Sequence, residues 1–70
     1  MRHNRLDELS KDELVYLIDQ YIHHERNRKI AYRRFIDGIL YEPLSEEFDL
    51  TPNHIKSICY KVEQTLIKHI

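Results

Sequence analysis

This sequence predicts a small all-α domain, a bundle of four helices, on three observations. Apolar residues recur three and four positions apart, the period of one helix face. Residue pairs that start helices stand just ahead of those stripes. The one glycine and two prolines fall between the stripes rather than inside them. Seventy residues hold one domain, so residues 1–70 are read as a single unit.

The first helix is predicted over about residues 11–23. Ser10 and Glu13 have the spacing of a capping box, in which hydroxyl and carboxylate satisfy the amides at a helix start. Leu14, Leu17, Ile18, Tyr21 and Ile22 then form the stripe, and Val15 and Ile22 widen it beyond one face. They lie either deep in the core or on a partner surface. His23, His24 and Asn27 form helices poorly and predict a break. The second helix is predicted over about 26–37, with Ile30, Ala31, Tyr32 and Phe35 inward and Gly38 in a left-handed cap.

Pro43 is read as the first residue of a short helix over about 43–48, with Leu44 and Phe48 inward. Asp49, Leu50 and Thr51 make a tight turn in which Asp tolerates unusual backbone and Thr51 caps with its hydroxyl. Pro52 opens the last helix, predicted over 52–68, whose inner stripe is Ile55, Ile58, Val62 and Leu66, with Cys59 and Ile70 beside it. A short helix, a tight turn and a longer helix describe a helix-turn-helix. Leu44, Phe48, Leu50, Ile55 and Ile58 would fix the angle between its arms.

The charge is arranged in blocks although it sums to −1. Residues 1–25 carry six anions against three cations, residues 26–34 five cations and no anion, and residues 35–49 five anions and no cation. A near-zero total of this kind can hide a positive face. With 41% apolar residues the chain can build a core, yet no apolar run approaches the roughly 18–20 residues of a membrane span. The charged start lacks a signal-peptide core, so no membrane association is expected. The single Cys59 excludes an internal disulfide and a cysteine zinc cluster, and fits a reducing cytoplasm. Paired carboxylates, a nucleophile triad and a phosphate-cradling glycine loop are all missing, so neither an enzyme nor a cofactor is expected. His23 and His24 are adjacent, about 100° apart on a helix, and are not read as metal ligands.

The segment Gly38-Ile39-Leu40-Tyr41-Glu42-Pro43-Leu44-Ser45 resembles the Gly-x-Ser-Tyr-x-Glu-Ile-Ala run of region 4 of the sigma-70 class of bacterial sigma factors and related regulators. Phe48-Asp49-Leu50-Thr51 is similar to that family's turn, and Ile55-Lys56-Ser57 to a Val-Lys-Ser in its recognition helix. Arg28-Lys29-Ile30 and Arg34-Phe35 stand at the family's distances from the glycine, and the register runs without a gap from about residue 14.

The resemblance implies a DNA-binding transcription regulator, of bacterial or phage type, standing alone without the other sigma regions. Its last helix would enter the major groove with Thr51 near the phosphates. Asn53, His54, Lys56, Ser57, Tyr60 and Lys61 would face bases and backbone, and Arg33 and Arg34 would bind phosphate. The residue types suit this: Asn can pair with adenine, Lys with guanine or phosphate, and Ser serves as a small donor and acceptor. Double-stranded DNA is the expected partner, and a homodimer would extend the short reach of one module.

Two departures matter. Pro43 stands where the family has glutamate, and Glu46 and Glu47 would repel phosphate unless they turn toward the arginines. The breadth of apolar residues on the first helix, with those two glutamates, supports an alternative: a module that docks on RNA polymerase, a sigma factor or another regulator without touching DNA. Cys59 is read as a thiol at the core edge, His54 as either a half-buried helix-start residue or a DNA contact, and Tyr60 as the one outward tyrosine of the last helix.

Overall fold

The computed structural model describes residues 8–69, and the description below is confined to them. Ile70, expected at the end of the last stripe, lies outside that range. The described chain is all helix, with no strand.

Helix α1 spans Lys11–Tyr21. The capping box is present: Glu13 N–H donates to Ser10 Oγ at 3.2 Å, and Ser10 N–H to Glu13 Oε1 at 2.9 Å. The helix stops two residues short of the predicted 23. Ile22 turns extended while its N–H still closes on the Ile18 carbonyl at 3.0 Å, and this lets its side chain enter the core. His23 and His24 therefore lie in a linker, and the 100° helical spacing invoked for them does not apply.

Helix α2, Glu25–Ala31, starts one residue before the predicted 26. Glu25 suits the positive end of the helix dipole and pairs with Lys29 at 3.6 Å. The expected α-helix to Asp37 gives way at Tyr32–Ile36 to a π-helical turn, in which Asp37 N–H reaches the Tyr32 carbonyl at 3.2 Å. A π turn holds an extra residue and widens the arc that can face inward. Tyr32, Phe35 and Ile36 all pack half-buried on the core as a result. Gly38 follows with φ of +74°, and Ile39 N–H closes on the Arg33 carbonyl at 3.0 Å. A Cβ on Gly38 would meet nothing within 4 Å, so the backbone conformation alone calls for glycine.

Helix α3 spans Tyr41–Phe48, two residues earlier than Pro43 predicted. The first four amides of a helix have no partner within it, so Pro43 is tolerated as the third residue as well as the first. Asp49 is left-handed at φ 58°, and Leu50 N–H returns to the Ser45 carbonyl at 2.9 Å, a Schellman closure. Helix α4 spans Pro52–Lys68; its Thr51 cap accepts His54 N–H at 3.1 Å.

Each of the other three helices packs on α4. Leu14 and Ile18 from α1, with Ile22 just beyond it, meet Ile30 and Ala31 from α2 and Leu44 from α3. They close over Ile55, Ile58, Cys59, Val62 and Leu66. Each fully buried Ile or Leu contributes about 1.5–3 kcal/mol relative to exposure. Phe48 and Leu50, expected as buried pins, are half-buried, so Leu44 and Ile55 anchor the α3–α4 crossing. Ser45 is buried at that crossing and donates its hydroxyl to the Glu42 carbonyl at 2.7 Å. The end of α4 is held to α1 by the His69 ring stacked on Tyr21 at 3.7 Å.

Candidate nucleic-acid interface

The exposed side of α4 follows from its core stripe. Burying positions 55, 58, 62 and 66 turns Asn53, Ser57, Tyr60 and Gln64 outward, with Lys56 and Lys61 on opposite flanks. All six are exposed, Tyr60 to 63%. His54 is exposed too, which removes the half-buried alternative. The acid of α4, Glu63, is only partly exposed and lies off this face. The face can therefore donate from lysine, amide and hydroxyl, and stack with a phenol, without a carboxylate in its centre. Thr51 is exposed at its head; the hydroxyl oxygen accepts from the His54 amide, which leaves its O–H free to donate elsewhere.

The basic block at residues 26–34, which includes Arg33 and Arg34, is engaged within the fold. Every one of its cations has a partner inside the chain. Arg26 donates to Asn27 Oδ1 at 3.3 Å, Arg28 to the Ile22 carbonyl at 3.4 Å, and Lys29 pairs with Glu25. Arg33 donates to both oxygens of Glu47 and to Asp37 Oδ2, each at 3.1 Å. The bonds to Glu47, ahead of those to Asp37, raise the Arg33 guanidinium above its ordinary value. Glu47 thus turns toward an arginine, which meets for one residue the condition set for Glu46 and Glu47; Glu46 is exposed and makes no such bond among the described residues.

Arg34 points the other way. Its Nη1 donates to the Ile39 carbonyl at 3.0 Å, and its guanidinium lies 4.5 Å from the centre of the Tyr41 ring. Lys56 Nζ approaches the same ring at 5.9 Å. Tyr41, at the first turn of α3, therefore links the end of the π turn to the flank of α4 through two cation–π contacts. The sequence placed Tyr41 only within the segment 38–45 and missed this role. The sequence offered only a tyrosine three residues past a glycine cap; the two cations meet it through the fold.

Cys59 is buried, and desolvation pushes its thiol up, with Arg34 opposing and Glu63 adding to the shift. On α1 the alternatives divide: Ile22 is in the core, whereas Val15 is 41% and Tyr16 61% exposed. No described group of three or more His, Cys, Asp and Glu side chains is placed to hold a metal ion, and no described helix is long and apolar enough to cross a membrane. Compared with protein-family models, curated proteins and solved structures, the chain matches none.

Proposed function

We propose that this chain is a DNA-binding transcription regulator whose α3, turn and α4 form a helix-turn-helix of the sigma-70 region 4 kind. The observation that carries the reading is the outer face of α4, where Asn53, His54, Lys56, Ser57, Tyr60 and Lys61 stand exposed on one helix capped by Thr51. In the major groove such a face reads base edges through Asn53, Lys56 and Ser57 while Lys61 takes phosphate. A homodimer would place two such helices on two half-sites.

Fluorescence-anisotropy binding to random duplex DNA across a salt series tests the reading. Binding that weakens steeply with salt is the expected result, because neutralised phosphates release counterions. No binding at about 50 mM salt with tens of micromolar protein overturns it.

One observation favours a second reading, a module that docks on RNA polymerase or another transcription protein. Val15 and Tyr16 are exposed on α1, beside an open groove of about 390 Å³ that Leu9, Tyr16 and Leu17 line. Recovery of polymerase subunits from a DNase-treated extract supports that reading, and an empty pull-down counts against it.

A further inference from the structure

The junction of α1 and α2 meets the Lys61 flank of α4 in a cleft of about 170 Å³. Its rim carries His23, His24, Asn27, Lys61 and Thr65 over an apolar floor. No carboxylate lines it. The other described clefts each include one: Asp12 and Glu13 beside α1, Glu25 below α2, and Glu47 beside Arg33. In a chain with 12 acidic residues, a carboxylate-free rim of donors is a distinct electrostatic environment.

The donors there are also unspent. Asn27 Oδ1 is occupied by Arg26, which leaves its amide N–H groups to donate. The ammonium of Lys61 is exposed, and the two imidazoles are exposed in the linker. Thr65 gives its hydroxyl proton to the Lys61 carbonyl at 3.0 Å, so it shapes the rim rather than donating. N–H donors gathered in one cleft, with no carboxylate among them, suit an oxyanion such as phosphate.

We infer that this cleft seats a backbone phosphate of the duplex that α4 engages, in place of Arg33 and Arg34. The inference rests on α4 being the DNA-facing helix: Lys61 belongs to both surfaces, so a strand bordering the groove that holds α4 passes over the cleft. Sequence at that position is not read; the contact fixes register.

The test compares wild type with Asn27→Asp, Lys61→Gln and Lys29→Gln for binding to random duplex across a salt series. Asn27→Asp keeps the acceptor for Arg26 and places a negative charge in the cleft. Lys29→Gln makes the same unit change of net charge outside it. Asn27→Asp and Lys61→Gln are expected to weaken binding about tenfold or more. Lys61→Gln should also flatten the salt slope by about 0.9, the value of one phosphate. Lys29→Gln should stay within about twofold of wild type, the scale of a screened surface charge. Should Asn27→Asp behave like Lys29→Gln, the cleft is overturned, whereas a loss from Lys61→Gln alone speaks only for the α4 face. Wild type that binds no duplex overturns both. A parallel NMR titration with inorganic phosphate separates the sources: cleft amides that shift with duplex support the backbone assignment. Amides that shift with inorganic phosphate in a chain that binds no duplex assign the cleft to free phosphate and overturn it.

Discussion

Arg33 on the π turn donates from Nε to both carboxylate oxygens of Glu47 on α3 at 3.1 Å, and from Nη1 to Asp37 at the same distance. One guanidinium is closed between two carboxylates. One cation of the basic block is thus neutralised by two carboxylates of the acidic block that follows it in sequence.

The first prediction concerns that closure. A cation already neutralised has little left to exchange with DNA counterions. Arg33→Ala is expected to leave the salt slope of duplex binding unchanged, whereas Lys61→Gln lowers it. An equal drop for both variants would show that Arg33 leaves Glu47 when DNA arrives.

Lys56 stands on the other flank, near Tyr41. Lys56→Ala is expected to relax sequence preference, reducing affinity for a selected site more than for random duplex. Measured losses of equal size on both would remove Lys56 from base readout and leave it a backbone contact.

Two left-handed residues make opposite predictions. Gly38→Ala should destabilise the fold by about 1 kcal/mol, since alanine pays the left-handed penalty that glycine avoids. Asp49→Gly should stabilise it by about 0.5–1 kcal/mol for the converse reason. Urea denaturation followed by circular dichroism reads both, and a sign reversed in either shows that the native backbone shifts to accommodate the change.

Leu44 is fully buried where α3 meets α4. Leu44→Ala is expected to cost about 2–5 kcal/mol. A core this small rarely supplies more than about 3–5 kcal/mol in total. The variant should therefore be largely unfolded at 25 °C, while Leu44→Met, which keeps the volume, stays folded. Thermal melts of the pair decide it.

Cys59 predicts a pH effect. Its folded thiol ionises above its ordinary value, so beyond about pH 8.5 the unfolded chain loses the proton first. The unfolded state then binds fewer protons, and stability falls as pH rises. Below that pH the thiol is protonated in both states and contributes nothing to the slope. A thiol reagent should label Cys59 slowly in the native protein and fast in denaturant; rapid native labelling would mean that α4 opens locally.

What was legible in the sequence was local. The Ser10–Glu13 box, the left-handed Gly38 and the Thr51–Pro52 start each involve residues within three or four positions, and each appears in the structure. The start of α3 was misread because proline is acceptable throughout a first turn, so Pro43 could not say which position it held. The π turn was invisible, because its extra residue follows from packing Tyr32, Phe35 and Ile36 together on the core. Glu47 lies 14 positions from Arg33, and the sequence could only state the condition that the two should meet. The cleft joins Asn27 to Lys61 across the bundle, so no spacing announced it.

The π turn also sets where this chain can change length. Its surplus residue is absorbed between Tyr32 and Ile36, so removing one residue there would return the segment to ordinary α-helix without rotating α2 against α3. The same deletion ahead of Tyr60 in α4 would turn everything beyond it by about 100° and carry Tyr60 into the buried place of Cys59. A one-residue deletion is thus absorbed at the π turn and forbidden in α4, where every residue beyond it would change face.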